Sequence, residues 1–412
     1  MSAHNFIPFH VPSIGEEEIQ EVVDTLRGGW LTTGERTHRF EKDFKSYIGC
    51  RNALAVNSCT AGLHLAAAAL GIGPGDEVIT TPLTFCATVN TILHVGATPV
   101  LADVGADGNI DPHSIAARIT PRTKAIIPVH LAGLPCDMHS IWSLAKKHKL
   151  FVIEDAAHAA GTYYRGLPLG AAHGEFASDA VAWSFYATKN ITTGEGGMVT
   201  TDNDALHARM KVLCLHGISK DAWNRYAENG SWYYEVLEPG FKYNLSDLQS
   251  ALGIHQLRKV EQFAAARRSR AALYSRFFRD VEEVEIPTEG AANEHSWHLY
   301  VLRIRPEKLA ISRNQFIEEL KKRKIGTSVH FIPVPLHPFF APWAREERNH
   351  CPRAMNIWER SISLPLFPDL RDEQVDTVAS NVLEIIREHR APVFALGQAG
   401  KAKYAAAAPV AD

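Results

Sequence analysis

Short, largely apolar segments that alternate with helical stretches constrain the fold of this chain more than any other feature. Candidate strands of this kind are Ala53–Asn57, Glu77–Thr81, Thr98–Ala102, Ala125–Val129 and Phe151–Glu154. Strands that lack polar alternation are buried on both faces, which is typical of a mostly parallel sheet covered by helices. The pattern therefore predicts an α/β fold.

Two of the strands end next to side chains that can take part in chemistry. The strand Phe151–Glu154 is followed directly by the carboxylate of Asp155. Another apolar strand, Ala180–Phe185, leads into a loop that carries Lys189. Because ligands of open α/β sheets lie beyond the carboxyl ends of the strands, this acid and this amine could hold the two ends of a pyridoxal phosphate ring. The acid would pair with the protonated ring nitrogen, and the amine would form a Schiff base.

Each of these side chains also has an ordinary interpretation. An aspartate at the end of a strand is most often a helix cap, and a lysine in a loop is most often only solvated. The segment Ser58-Cys-Thr-Ala-Gly62 opens a helix, where small hydroxyl residues make an anion site or merely cap the helix. Phe85 follows another strand and could stack on a flat cofactor or pack in the core.

The pattern of predicted strands and helices changes in the second half of the chain. Met198–Thr201 follows the Lys189 loop so closely that no crossover helix fits, so it is predicted to pair antiparallel. A long helix from Ser246 through about Arg270 is predicted to lead into a second unit, in which Trp297–Ile304 is a strand. We predict a large α/β domain with an N-terminal helical arm over residues 1–260, a small α+β domain over 261–392, and a disordered tail over 393–412.

Composition excludes several other kinds of protein. The 412 residues are 46% hydrophobic and 22% charged, with a formal net charge of −3, which is typical of a globular protein and gives no nucleic-acid footprint. The 20 histidines and six cysteines show no HExxH or CxxC spacing, so no metal site is expected. Dispersed thiols, with no signal peptide and no apolar run of membrane length, predict a soluble cytoplasmic protein.

Several short segments carry a family resemblance through their joint order and spacing. They are Gly29–Gly34, Asn57–Leu63, Gly71–Val78, Glu154–His158, Ser184–Asn190, Gly194–Gly197, Pro239–Asn244 and Ser363–Pro368. Together they resemble the DegT/DnrJ/EryC1/StrS family of sugar-nucleotide aminotransferases, from about Phe9 to about Ile386. The resemblance implies the pyridoxal phosphate-dependent transferase fold of type I, similar to aspartate aminotransferase.

The resemblance also implies roles for particular residues. Lys189 looks like the lysine that bonds to the cofactor and shuttles the proton, and Asp155 looks like the partner of the pyridine nitrogen. His158 matches a position that contacts the ring oxygen, and Phe85 matches the aromatic that stacks on the ring. The phosphate cradle corresponds to Cys59, Thr60 and Ser184.

Some positions depart from the common family pattern. Many members have Gly or Ser where this chain has Cys59, but a backbone N–H makes the expected contact, so we expect function to survive. Where many members read Gly-Tyr-Asn-Tyr-Arg, this chain reads Gly240-Phe-Lys-Tyr-Asn244. The phosphate ligand donated by a neighbouring subunit is therefore Asn244, which we prefer, or Lys242. Tyr186, where several members carry His, either reaches the substrate or simply packs. His330 either lies near the sugar nucleotide or is an ordinary buried histidine.

Amino transfer from L-glutamate to a ketone on a nucleotide-linked sugar is the function that the resemblance implies. A 4-keto-6-deoxy hexose of surface polysaccharide or amino-sugar biosynthesis is the expected acceptor, and a homodimer with active sites shared between subunits is the expected assembly. Three alternatives stay open at this point: a sugar dehydratase of the same fold, a non-catalytic sensor that binds ligand, and a plain α/β binding protein without cofactor. Lys189 argues against the dehydratase, in which a histidine replaces the lysine.

Overall fold

The computed structural model of the chain describes residues 6–219, 233–290, 294–344 and 350–391. Its first part contains α1 (Glu16–Gly28), α2 (Glu35–Ile48), β1 (Asn52–Val56), α3 (Cys59–Ala69), β2 (Glu77–Thr80), α4 (Cys86–His94), β3 (Thr98–Leu101), α5 (Pro112–Ala116), β4 (Thr123–Ile127) and α6 (Met138–His148). It continues with β5 (Phe151–Asp155), β6 (Tyr163–Tyr164), β7 (Leu167–Pro168), β8 (Ala180–Ser184), β9 (Gly197–Thr201) and α7 (Asp204–Cys214).

The second part of the chain builds a smaller sheet covered by helices. Its elements are α8 (Asp247–Arg258), α9 (Val260–Phe278), β10 (Val284–Glu285), β11 (Tyr300–Ile304), α10 (Arg313–Lys322), α11 (Ala341–Ala344), α12 (Pro352–Arg360), β12 (Ser361–Leu364) and α13 (Asp372–Glu388). Short 3-10 turns occur at Leu131–Gly133, Pro306–Lys308 and Val334–Leu336. β10, β11 and β12 pair antiparallel in a three-stranded sheet.

A seven-stranded sheet, in the order β1-β9-β8-β5-β4-β2-β3, forms the centre of the first part. β2 pairs parallel with β3 and β4, and β5 pairs parallel with β4 and β8. β9 pairs antiparallel with β8 and β1, which confirms the predicted antiparallel return. All strands except β9 therefore point the same way. The predicted α/β fold is confirmed, and the carboxyl ends of β1, β2, β5 and β8 meet at one edge of the sheet.

The helix α2 illustrates how the outer layer is attached to this sheet. Phe40, Phe44 and Ile48 recur every four residues, so they share one face of the helix, and all three are buried. The ring of Phe44 packs edge-on against Trp183 of β8 at a centroid distance of 5.4 Å. Removing each ring from water contributes about 2–3 kcal/mol, so this face binds the helix firmly to the strand that leads to Lys189.

Two predicted elements differ from those observed. The single helix expected from Ser246 through Arg270 is two helices that meet at Lys259. The Lys259 ammonium is held by Glu17 and Glu18 of α1 at 2.6 and 2.9 Å, a tertiary constraint that helical periodicity does not reveal. The strand expected from Trp297 begins only at Tyr300, because Trp297 has a left-handed backbone with φ +51°.

The buried apolar residues form separate clusters around the two sheets. In α9, Val260 and Phe263 belong to the cluster beside the large sheet, whereas Tyr274 and Phe278 belong to the cluster beside the small sheet. The predicted boundary at residue 260 thus falls where one helix begins to pass from the first cluster to the second. Ile7 lies in the second cluster, and its N–H donates to the carbonyl of Lys324.

Some predictions concern residues outside the described ranges. The tail predicted over residues 393–412 lies there, so its disorder stays a prediction. Within the described ranges, the structure contains no helix both long enough and apolar enough to cross a membrane.

Candidate active site

A cavity of about 460 Å³ opens at the edge of the large sheet where the parallel strands end. Most of the side chains singled out in the sequence line it: Cys59, Thr60, Phe85, Asp155, His158, Ser184, Tyr186, Lys189 and His330. Asn244 and Lys242 do not line this cavity. The sheet topology explains the convergence, since most of these residues follow β1, β2, β5 and β8. His330 comes from a segment that bridges to β12 of the small sheet through Ser328 and Ser363.

Asp155 is a buried carboxylate at the end of β5. Its Oδ2 accepts a hydrogen bond from the hydroxyl of Thr88 at 2.8 Å, and its Oδ1 accepts one from the Ala157 N–H at 3.1 Å. Burial raises the pKa of this carboxyl, while these two donors and the Lys189 ammonium act in the opposite direction. Because these interactions do not fully offset the burial, the carboxylate is suited to pair with a cation placed in the cavity.

Lys189 reaches the same cavity from the loop after β8. The loop is tightly closed, because the Lys189 N–H donates to the Tyr186 carbonyl and the Thr193 N–H donates to the Phe185 carbonyl, both at 2.9 Å. Burial lowers the pKa of the Lys189 ammonium to about 8, against the attraction of Cys59 and Asp155. An appreciable fraction of this amine is therefore unprotonated near neutral pH, as a nucleophile or a proton acceptor requires.

The N-terminus of α3 forms one wall of the cavity. Ser58 caps the helix by accepting a hydrogen bond from the Ala61 N–H, and Cys59 and Thr60 occupy the first turn. The first N–H groups of a helix lack partners within the helix and attract anions together with the helix dipole. Gly197 packs directly behind this turn, where an added Cβ would lie 2.7 Å from the Cys59 nitrogen. The capping and the anion-site interpretations of this segment are thus compatible.

Aromatic rings cover another wall. Phe85 precedes α4 and is 59% exposed, and its ring centroid lies 5.9 Å from that of Phe331. Phe331 in turn stacks on His158 at 5.6 Å. An exposed ring at the mouth of a cavity is available to a flat ligand, which a Phe packed in the core would not be.

Two further predicted residues lie toward the small sheet and the mouth of the cavity. Tyr186 is largely exposed, so its phenol faces the space rather than the core. His330 stacks on Phe9 at 5.5 Å, and its Nδ1 lies 2.9 Å from the Ser363 hydroxyl. Burial lowers the pKa of His330 to about 4, and the nearby Lys189 charge adds to the effect. His330 is therefore neutral, with one ring nitrogen paired.

Asn244 lies apart from this cavity and beside a second pocket. The segment around it runs along the free edge of β1, where Val56 and Asn244 form a bridge. The Asn244 amide donates to the Thr33 hydroxyl at 2.8 Å, and its oxygen accepts from the Lys242 ammonium at 2.5 Å. Asn244 and Lys242 thus form one hydrogen-bonded unit on the outside of the chain.

Sequence patterns did not single out two side chains that line the cavity. Thr88 donates a hydrogen bond to Asp155, and a threonine inside a helix has no distinctive spacing that would single it out in the sequence. His298 is buried beside His158, with 4.3 Å between the ring centroids. Its only sequence signal is its place in the predicted strand Trp297–Ile304. Within the described residues, no three His, Cys, Asp or Glu side chains are grouped as a metal site would require.

Comparison with known proteins identifies the family. Residues 12–383 match the model of the DegT/DnrJ/EryC1/StrS aminotransferase family. The chain belongs to this family. It is a pyridoxal phosphate-dependent sugar aminotransferase of fold type I, as the sequence resemblance implied.

Relatives match the aminotransferase over nearly its whole length. The spore coat polysaccharide biosynthesis protein SpsC of Bacillus subtilis is 50% identical over 386 residues, which are 93% of this chain and 98% of SpsC. The PMP form of Spr1654 from Streptococcus pneumoniae is 35% identical with a TM-score of 0.85, covering 93% of this chain and 99% of that one. Helicobacter pylori PseC, an aminotransferase involved in the biosynthesis of pseudoaminic acid, is 31% identical with a TM-score of 0.85, covering 93% of this chain and 100% of PseC.

The residues around the cavity of the aminotransferase fit pyridoxal phosphate. The buried carboxylate of Asp155 can pair with a protonated ring nitrogen, and Lys189 provides an amine for the aldehyde. The N–H groups at the start of α3 can bind a phosphate, and the aromatic ring of Phe85 can stack on a flat ligand. When bound, the cofactor supplies an electron sink for negative charge that develops on the substrate carbon. With the cofactor bound, the residues present would hold a cation at Asp155, orient the flat ring and give the Lys189 Nζ a place from which to move a proton.

Proposed function

We propose that this aminotransferase takes its amino group from L-glutamate and delivers it to the keto group of a nucleotide-linked sugar. A 4-keto-6-deoxy hexose is the proposed acceptor, and the product would serve surface polysaccharide or amino-sugar synthesis. The observation that carries this proposal is the convergence of Lys189, Asp155 and the start of α3 on one cavity. The name of SpsC supports the polysaccharide context.

In the proposed reaction, Lys189 acts as the general acid and base. Its amine takes a proton from the carbon of the glutamate substrate, and later returns a proton to the sugar carbon. Asp155 stays charged and holds the ring nitrogen of the cofactor, and Thr88 fixes the orientation of that carboxylate. Because glutamate leaves as 2-oxoglutarate before the sugar enters, the kinetics should be ping-pong.

The roles proposed for the other residues are those that the family resemblance implies, and their positions on the cavity support them. Cys59 and Thr60 at the start of α3, together with Ser184, hold the phosphate, and His158 contacts the ring oxygen. Phe85 stacks on the ring. Tyr186 and His330 face the remaining space and contact the sugar.

We further propose that the enzyme is a homodimer in which Asn244 of one subunit completes the phosphate site of the other. This assignment is supported by the position of Asn244, which lies outside the cavity of its own chain and forms hydrogen bonds with Thr33 and Lys242. A cytoplasmic location is proposed as well. All six cysteines are free and several are buried, as expected in a reducing compartment.

An absorbance spectrum tests the proposed site directly. The purified enzyme with added pyridoxal phosphate should absorb near about 400–430 nm, and borohydride should abolish this band. Lys189→Ala should lack the band, whereas Lys147→Ala, which removes an exposed lysine of α6 away from both pockets, should retain it. A protein that stays colourless would contradict the assignment of Lys189.

A second measurement tests the substrates. L-glutamate should bleach the band and yield 2-oxoglutarate, and a panel of UDP-, GDP- and dTDP-linked keto-sugars should restore it with the fitting acceptor. A band that no amino acid bleaches would favour the non-catalytic sensor instead. Restoration by free keto-sugars but by no nucleotide-linked one would contradict the proposed acceptor class.

A further inference from the structure

His298 and Asn190 form a hydrogen-bonded pair directly behind the cofactor lysine. Asn190 follows Lys189 in the chain and is buried. Its amide nitrogen donates to the Ala160 carbonyl at 2.9 Å and lies 3.4 Å from the Ser296 carbonyl. Its Oδ1 lies 3.0 Å from the His298 Nδ1. Since the nitrogen of the amide faces carbonyls, its oxygen can only accept, so His298 must donate from Nδ1.

The neighbouring His158 carries the opposite tautomer. Its Nδ1 accepts a hydrogen bond from the Ala132 N–H at 3.2 Å, so its proton resides on Nε2. Burial holds the pKa of His158 and of His298 well below their usual range, with the Lys189 charge as a further cause in both. The two rings lie 4.3 Å apart, and both line the cavity. The cavity wall therefore contains two neutral imidazoles, each with a proton position fixed from behind.

The backbone of His298 is anchored independently of Asn190. The buried guanidinium of Arg267 in α9 donates to the carbonyls of His298 and Leu366, at 3.2 and 2.8 Å. His298 also lies two residues before β11, the central strand of the small sheet. The His298 ring thus connects a fixed point of the small sheet with the loop that carries Lys189.

We infer that His298 is a positioning residue, which holds Lys189 on the cavity wall through its Nδ1–H bond to Asn190. This inference rests on the role proposed above for Lys189 and deepens it. The loop has its own internal hydrogen bonds, but among the described residues the Asn190 side chain is what ties it to the segment before β11. Without the bond, Asn190 would keep its contacts with the Ala160 and Ser296 carbonyls but lose its link to the His298 ring, so the Lys189 amine would be held less firmly on the cavity wall.

Two substitutions separate the bond from the ring. His298→Asn retains an N–H donor close to the position of Nδ1, whereas His298→Phe retains the ring and removes the donor. We expect the affinity of the cofactor-free protein for pyridoxal phosphate to fall by about tenfold in His298→Phe, the typical effect of losing one buried hydrogen bond, and to recover at least in part in His298→Asn.

A measurement without cofactor reports on Lys189 itself. The pH dependence of amine acetylation at Lys189, followed by mass spectrometry, should give a pKa near 8 in the wild type. In His298→Phe the loosened amine gains water, so its pKa should rise toward the ordinary value for lysine. A role in folding alone would lower the melting temperature without moving this pKa.

His295 provides the matched control. It is equally buried in the same segment, and its Nδ1 accepts the Trp297 N–H at 2.9 Å, but it does not line the cavity or contact Asn190. His295→Phe should lower the melting temperature to a similar extent and leave the Lys189 pKa unchanged. The inference is overturned if both histidine variants shift the Lys189 pKa equally, or if neither does. If Lys189→Ala with added pyridoxal phosphate shows the same absorbance band as the wild type, the underlying role of Lys189 is refuted instead.

Discussion

At the scale of single residues, the burial of Asp155 lowers the stability of the fold, and the proposed cofactor site explains why a carboxylate lies there. Burial raises the pKa of its carboxyl, and a carboxyl with a raised pKa in the folded state destabilises the fold as the pH rises through that pKa. Near neutral pH the charged carboxylate therefore lowers the free energy of unfolding of the cofactor-free protein. A bound pyridinium would neutralise the buried charge and remove this destabilisation, so cofactor binding should raise the stability of the fold.

Asp155→Asn should therefore act in opposite directions on stability and on activity. The cofactor-free variant is expected to melt a few degrees higher than the wild type at pH 7.5, and this gain should vanish at low pH where the wild-type carboxyl is protonated. Transamination should fall by about 100-fold or more, because the ring nitrogen loses its charged partner. Calorimetry and a glutamate half-reaction measure the two effects. A variant that is less stable at neutral pH would contradict the sign.

Lys189 gives a second prediction at this scale. Only the unprotonated amine can react with the aldehyde of pyridoxal phosphate, and burial lowers the pKa of Lys189 to about 8. The rate of cofactor capture by the cofactor-free enzyme should rise about tenfold per pH unit below pH 8 and level off above it. Stopped-flow absorbance between pH 6 and 10 measures this profile. A rate that continues to rise to pH 10 would show an ordinary, solvated lysine.

At the scale of elements, the antiparallel return of β9 brings the main chain against the start of α3. Gly197 lies at this contact, where a Cβ would be 2.6 Å from the Trp183 carbonyl oxygen and 2.7 Å from the Cys59 nitrogen. Such distances can be relieved only by moving the strand or the helix. Backbone packing at one residue thus sets the position of the proposed phosphate site.

Gly197→Ala should weaken cofactor binding without replacing any polar group. We expect the dissociation constant of pyridoxal phosphate to rise by about tenfold or more, together with a lower melting temperature from the forced displacement. Gly28→Ala is the control, because an added Cβ at Gly28 meets nothing within 4 Å. Fluorescence titration measures the affinity. Unchanged affinity in Gly197→Ala would show that the phosphate does not depend on this contact.

The elements also show what the sequence allowed and what it did not. The strands that end at the cavity were predictable, because a strand buried on both faces leaves an uninterrupted apolar run. The break between α8 and α9 at Lys259 could not be predicted, because it depends on ion pairs with α1. The late start of β11 at Tyr300 could not be predicted either, because it depends on the left-handed backbone of Trp297. The same limit explains Thr88 and His298. Their importance comes from partners 67 and 108 positions away in the chain, and no local pattern records such distances.

At the scale of the whole molecule, the position of Asn244 makes a prediction about assembly. If Asn244 serves the neighbouring subunit, Lys189→Ala and Asn244→Ala damage different parts of each site. A mixed dimer then carries both lesions at one site and none at the other. Random reassortment of equal amounts should restore about a quarter of the wild-type activity, since half of the dimers are mixed and each has one intact site.

The experiment mixes two separately purified, inactive variants after reversible dissociation. Native mass spectrometry confirms that mixed dimers have formed. Lys189→Ala mixed with Asp155→Asn serves as the control. Both residues belong to the cavity of their own chain, so each of the two sites in a mixed dimer carries one lesion and neither site is intact. Recovery in the control, or none with Asn244→Ala, would contradict the shared site.

The position of Ile7 constrains the order in which parts of the molecule can fold. Ile7 packs among side chains of the small sheet and bridges to Ile325, and Phe9, two residues on, stacks on His330 at the cavity wall. A ribosome releases these first residues long before it makes their partners. Ile7 and Phe9 can therefore take their final positions only after the segment from Ile325 to His330 has been synthesised. The side of the cavity that Phe9 covers therefore forms only once the His330 segment is present.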